Sequence, residues 1–143
     1  MSLVLDGSTT LAWIYQDEII DATRRVLALA TESGAWVPSI WRLEVANALQ
    51  TGIRRGRIDA TYRHAALSDL ALLDIAVDPD TDRYAWTSTL SLADRFRLTL
   101  YDAAYLELAQ RRSLPLASLD PALCEAARAL ARNSHTWLVI GRR

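Results

Sequence analysis

Apolar positions in this chain follow two alternating rhythms. Short unbroken runs, Leu3-Val4-Leu5, Trp36-Val37, Ile75-Ala76-Val77, the segment from Leu114 to Ser118 and Trp137-Leu138-Val139-Ile140, read as buried strands. Between them, apolar side chains recur at the three- and four-residue intervals of helices. Gly7-Ser8-Thr9 turns the chain after the first run, and Ser8 or Thr9 is expected to cap a short helix through Tyr15. Residues 18–33 place Ile19, Ala22, Val26, Leu29 and Ala30 on one helical face, and Gly34 stops that helix. The stretch from Ser39 to Arg55 predicts a strong helix capped by Ser39, with Ile40, Leu43, Ala46 or Asn47, and Ile53 on its periodic face. Gly56 ends it beside Arg54, Arg55 and Arg57, cations suited to a helix C-terminus. Asp59 caps a helix reaching about Leu73. Thr81 to Phe96 is helical, Leu98-Thr99-Leu100 leads into a helix from Asp102 to Arg112, and Pro121 opens the last one, to Ala131. Short strands alternating with helices predict one three-layer α/β/α domain over residues 1–143, with a mostly parallel sheet.

Composition narrows the chemistry more than the fold. At 143 residues the chain is long enough to bury a core without staples. All 16 basic residues are arginine. Without lysine there is no P-loop lysine, no Schiff base and no lysine-dependent kinase. The same absence argues against receivers and phosphatases that pair a strand aspartate with lysine. Cys124, His64 and His135 are too few for a Cys/His zinc site, and no G-x-S-x-G elbow exists for a serine hydrolase. A single cysteine permits no internal disulfide, no run approaches the ~20 apolar residues of a membrane span, and Asp6 comes too early for a signal peptide. A cytoplasmic protein is therefore expected. Carboxylate is what remains plentiful, and hard cations such as Mg²⁺ or Mn²⁺ are its natural partners. The net charge of −1 supplies no general basic field, so binding a nucleic acid would need local arginine patches or metal ions.

Four acids stand out by position. Ligands of such a sheet bind beyond the carboxyl ends of the strands, where strand order reverses. Asp6 directly follows the first strand, Asp120 follows the fourth, and Asp102 opens a helix after Leu98-Thr99-Leu100. Glu44 shares a helix face with Ile40, Leu43, Asn47 and Ala48, and a carboxylate there is costly unless paired or metal-bound. Asn47, one turn on, is placed to hydrogen-bond it or a bound water. Each acid alone has a simpler role: turn closure for Asp6, capping for Asp102 and Asp120, partial exposure on a rotated helix for Glu44. Together, four acids from distant segments on one rim repel one another and require cations.

The segments that carry these acids resemble the ordered motifs of PIN-domain ribonucleases. They are Leu3-Val4-Leu5-Asp6, the P-S-x-W-x-x-E-x-x-N-A-L run from Pro38 to Leu49, Leu98 to Ala109 with its Y-D-A-A-Y-L core, and Leu116-Ala117-Ser118-Leu119-Asp120. Within that family the chain is most similar to the VapC-type toxins of toxin–antitoxin pairs. Gly7 departs from the alanine or threonine commoner at its position, without removing an acid. The resemblance implies an acidic quartet of Asp6, Glu44, Asp102 and Asp120, with supporting polar roles for Ser8, Asn47 and Ser118. Asp6 and Asp102 would anchor Mg²⁺ or Mn²⁺, and Glu44 and Asp120 would complete the shell directly or through water. The implied activity is endonucleolytic hydrolysis of single-stranded or looped RNA, leaving 5′-phosphate and 3′-hydroxyl ends. A homodimer and a VapB-like antitoxin are the implied partners, with Trp13 and Trp41 as groove-lining residues.

Arg54, Arg55 and Arg57 are open to two roles, gripping RNA phosphates or completing a helix end, and Arg111-Arg112 and Arg142-Arg143 share that ambiguity. Of the five tryptophans most are expected in the core or at interfaces. Rival readings are a PIN-like RNA-processing nuclease outside a toxin pair, a non-catalytic PIN-like RNA- or protein-binding domain, and a phosphatase forming a phosphoaspartate at Asp6.

Overall fold

The computed structural model describes residues 2–15 and 21–131, and the backbone of 139–140. Five strands form one sheet: β1 (Leu3–Leu5), β2 (Ala35–Val37), β3 (Ile75–Val77), β4 (Leu116–Ala117) and β5 (Val139–Ile140). The order is β3-β2-β1-β4-β5 and every pairing is parallel, which bears out the expected α/β/α architecture. The chain adds strands to one side of β1, then crosses to the other, so the order reverses between β1 and β4. Register sets Val4 opposite both Trp36 and Leu116.

Among the described residues eight α-helices surround the sheet: α1 (Gly7–Ile14), α2 (Asp21–Ser33), α3 (Trp41–Arg54), α4 (Ala60–Ala71), α5 (Thr81–Tyr84), α6 (Leu90–Phe96), α7 (Leu100–Arg112) and α8 (Pro121–Ala131). A π-helical stretch, Ala85–Thr89, joins α5 to α6, so the predicted helix from Thr81 to Phe96 is interrupted by one wide turn. The core is built on β1, all of whose residues are buried, against Tyr105, Leu106 and Leu108 of α7, Val45 and Leu49 of α3 and Leu123 of α8. None of the helices among the described residues is long and apolar enough to cross a membrane.

Several helix starts differ from the sequence expectation. Asp6, not Ser8 or Thr9, caps α1, accepting from Thr9 N. Ser39 makes no cap: α3 begins at Trp41 after Ile40, and Ser39 N donates instead to Thr81 Oγ1 at 3.0 Å. Helix α7 begins two residues before Asp102, because Thr99 Oγ1 accepts from Asp102 N at 3.1 Å. The buried face of α3 runs through Trp41, Val45, Leu49 and Gly52, one position round from the predicted stripe, which leaves Leu43 75% exposed. In α2 the buried residues are Thr23, Val26 and Ala30, with Leu29 partly exposed. Gly34 follows with φ +76°, and a Cβ there would press on the Asp74 carbonyl at 2.9 Å. That is the left-handed helix stop the sequence implied. The predicted fourth strand shortens to Leu116–Ala117. Glu18, Ile19, His135, Trp137, Leu138, Arg142 and Arg143 lie outside the described residues.

Candidate active site

The carboxyl end of β1 lies at the point where strand order reverses, and Asp6 leaves the strand there. Its side chain is only 4% exposed. One carboxylate oxygen accepts from Thr9 N at 3.0 Å, the other from Ser118 Oγ at 2.5 Å, and Ser8 Oγ lies 2.8 Å from both. The two serines also grip the segment after β4: Leu119 N donates to Ser8 Oγ and Asp120 N to Ser118 Oγ, each at 3.0 Å. Ser8 and Ser118 thus fasten Asp6 to the loop that carries Asp120. Asp120 in turn caps α8, Oδ2 accepting from Leu123 N at 3.2 Å.

Glu44 and Asp102 approach from the helices. Trp41, one turn before Glu44, is buried and its indole N–H donates to Thr10 Oγ1 at 3.0 Å, while Thr10 Oγ1 donates to Asp6 O at 2.8 Å. This chain of bonds ties the start of α3 to the start of α1. Glu44 is half-buried, and its Oε1 accepts from the Tyr105 hydroxyl at 2.6 Å. Tyr105 is itself 1% exposed and lies three residues beyond Asp102 on α7, so both occupy one helix face. Sequence reasoning gave Tyr105 no role, although that spacing within the Y-D-A-A-Y-L segment was the available signal. Asn47 is exposed on α3 and makes no hydrogen bond with Glu44 among the described residues.

Electrostatics link the four acids. Burial raises the Asp6 carboxyl above its ordinary value, against the lowering effect of its hydroxyl and amide donors. Burial also raises Glu44; the Tyr105 bond opposes this, and the charges of Asp102 and Asp6 add to it. Asp102 is raised by burial and by the charge of Asp120. Among the described residues no arginine enters the shifts of Asp6, Glu44 or Asp102. Another buried acid, Asp78, shows the contrast. It accepts from Arg111 at 2.6 and 3.1 Å and from Arg112 at 3.1 Å, and Glu107 pairs with Arg111 at 2.6 Å. Burial pushes Asp78 up, but its arginine bonds and charges outweigh this and hold it below the ordinary value. Among the described residues the Asp78 cluster is neutralised by its own arginines, and no such pairing is made by Asp6, Glu44 or Asp102.

Among the described residues no three acid, histidine or cysteine side chains converge tightly enough to hold a metal ion by themselves. The donor set nevertheless suits a hard cation. Mg²⁺ is ordinarily bound through one or two carboxylates, with water and substrate phosphate completing the shell. A closed cage of three or more side chains is not what such an ion requires.

The arginines named from sequence sort themselves. Arg54 to Arg57 end α3, roughly 15 Å along its axis from Glu44, and the Arg57 guanidinium sits 3.9 Å over the Tyr15 ring. Arg111 and Arg112 are committed to Asp78, and Arg112 also stacks 3.6 Å over Trp36. Trp41 lines a 460 Å³ cavity with Leu67, Leu70 and Leu73, and Trp13 lines a 270 Å³ cavity with Leu27 and Tyr62. Trp86, by contrast, is 88% exposed.

A family model described as "PIN domain" matches residues 3–129, nearly the whole described chain. The chain belongs to the PIN domain family. PIN domains are typically nucleases and generally use divalent metals. Among solved structures, PAE2754 from Pyrobaculum aerophilum is similar in fold, with a TM-score of 0.60 at 24% identity over 93% of this chain and 97% of that one. No curated protein matches.

Proposed function

We propose that this PIN domain is a Mg²⁺- or Mn²⁺-dependent endoribonuclease and the toxin of a VapC-type toxin–antitoxin pair. The observation that carries the reading is the acid rim itself. Asp6, Glu44, Asp102 and Asp120 come from four distant segments, Glu44 and Asp102 feel the charge of the other acids, and no described arginine enters the shifts of Asp6, Glu44 or Asp102. An uncompensated rim is costly to fold, and a divalent ion relieves that cost while admitting a phosphodiester.

In this reading Asp6 and Asp102 hold the ion, with Glu44 and Asp120 acting directly or through water. When bound, the ion supplies Lewis-acid stabilisation of phosphoryl charge and acidifies water. The protein's own groups do the rest. Ser8, Ser118 and Thr9 N fix the Asp6 carboxylate in one orientation. Tyr105 occupies Glu44 Oε1, which leaves Oε2 to act at the rim. There Oε2, made more basic by burial and by Asp102, takes a proton from the attacking water. In-line attack leaves 5′-phosphate and 3′-hydroxyl ends.

The two cavities beside α4 support a protein partner: they share Leu70 and Leu73, one lies between α3 and α4 with Arg42 and Asp74 among its walls, and the other is mainly apolar and lies against α1 and α2. An amphipathic segment of an antitoxin fits such a surface, with a basic side chain reaching the acids. Asp102→Asn should abolish cleavage, a loss of at least about a thousandfold, with the fold retained by circular dichroism. Cleavage by chelator-treated protein, or no cleavage with either ion, would sink the nuclease reading. Failure of inducible expression to arrest growth would remove the toxin role alone.

A further inference from the structure

Helix α6 ends at Phe96, and Arg97 follows with φ 55° and ψ 42°. Glycine adopts that left-handed conformation freely and usually terminates helices there, whereas arginine is strained in it. Arg97 begins the short loop to Thr99, whose hydroxyl caps Asp102 N. Across from the loop runs α8, which starts directly after Asp120. Between the two lies a 320 Å³ cleft lined by Arg95, Phe96, Arg97, Ala122, Glu125 and Ala126. Its α8 wall begins at Ala122, two residues beyond Asp120, and runs on to Ala129. Arg95 and Arg97 form no ion pair with any described residue, Glu125 included. The Arg95 guanidinium rests 4.8 Å from the Phe96 ring, which holds its planar face in the cleft.

Resting on the nuclease reading above, we propose that Arg95 and Arg97 form a subsite for a backbone phosphate of single-stranded RNA flanking the scissile one. A polyanion must reach a rim of four carboxylates, and the ion at the centre screens only the phosphate it touches. Neighbouring phosphates need cations of their own. Arg54 to Arg57 lie at the wrong end of α3, and Arg111 and Arg112 are spent on Asp78. Arg95 and Arg97 are uncommitted and adjacent. A guanidinium fork matches phosphate oxygens in two parallel hydrogen bonds, which lysine cannot do.

The left-handed backbone at Arg97 makes the test clean. Arg97→Gly removes the side chain and relieves strain, so its Tm should equal or exceed that of the parent. Binding of a fluorescent single-stranded RNA is followed by anisotropy in EDTA, over a series of salt concentrations. Arg97→Gly should weaken binding about tenfold and reduce the logarithmic salt slope by about 0.7. Arg95→Ala should act in the same direction, and Arg24→Ala, which removes an exposed arginine paired with Asp21, should change nothing. Unchanged affinity in Arg97→Gly, an equal loss in Arg24→Ala, or no salt-dependent binding by the parent protein overturns the subsite. Cleavage of the same RNA with Mg²⁺ or Mn²⁺ is scored separately. A binding loss in Arg97→Gly without any cleavage by the parent keeps the subsite and discards the nuclease.

Discussion

The Tyr105 hydroxyl donates to Glu44 Oε1, and Tyr105 is buried while Glu44 is half-buried. Burial, the bond to Glu44 and the nearby acids all raise the phenol above its ordinary value, so it stays a donor across the working pH range. Tyr105→Phe removes that donor and lets the Glu44 carboxylate rotate. Expected are a drop of 10- to 100-fold in Mn²⁺ affinity by calorimetry and a stability loss of only about 1 kcal/mol. A large loss of stability with unchanged affinity would make Tyr105 a packing residue only. Asp6 was legible in the sequence because it directly follows a strand, and Asp120 because it precedes Pro121 at a helix start, although the shortened β4 ends three residues before it. Tyr105 was not, because its importance depends on a partner 61 residues away.

Within elements, glycine and charge decide two outcomes. Gly52 lies mid-helix in α3, where glycine is ordinarily a poor choice, yet a Cβ there would collide with the Tyr15 hydroxyl. Gly52→Ala should therefore destabilise by about 1–3 kcal/mol in urea denaturation, instead of stabilising as mid-helix alanine usually does. The Asp78 cluster pins the end of β3 to the last turn of α7 through Arg111 and Arg112. Asp78→Ala strands two partly buried guanidinium groups and should cost about 3–5 kcal/mol. Because its folded pKa lies below the ordinary 3.8, this contribution is present above that value and fades as pH falls through the lower one. The stability gap between parent and variant should accordingly narrow in acid. The strands and the presence of most helices were legible because apolar runs and periodic faces are local. Helix starts were less so: Thr99 and Asp6 won the caps from nearer-looking candidates, and α3 turned its face by one position to seat Trp41 against α1. Nothing in the local pattern of Leu43 to Asn47 records that rotation.

Across the molecule, the two acid clusters titrate in opposite senses. At the rim, Asp6, Glu44 and Asp102 are raised, so the folded protein holds protons more tightly than the unfolded chain. Their effect favours folding in acid and opposes it as pH climbs through the raised values. Mg²⁺ should therefore raise Tm at pH 7 and do so less at acid pH, as protons bind Asp6, Glu44 and Asp102 on the way down through their raised values. Each tenfold increase in ion above its Kd should add about 1.4 kcal/mol at neutral pH; equal stabilisation at both pH values would show binding elsewhere. The central position of β1 has a temporal consequence. This strand takes its second neighbour, β4, from a segment more than a hundred residues later, with Val4 opposite Leu116. Such distant pairing makes for slow, late closure. Ser118, which fastens Asp6, is synthesised later still, so a growing chain holds the Asp6 carboxylate without its clasp until the segment after β4 has emerged.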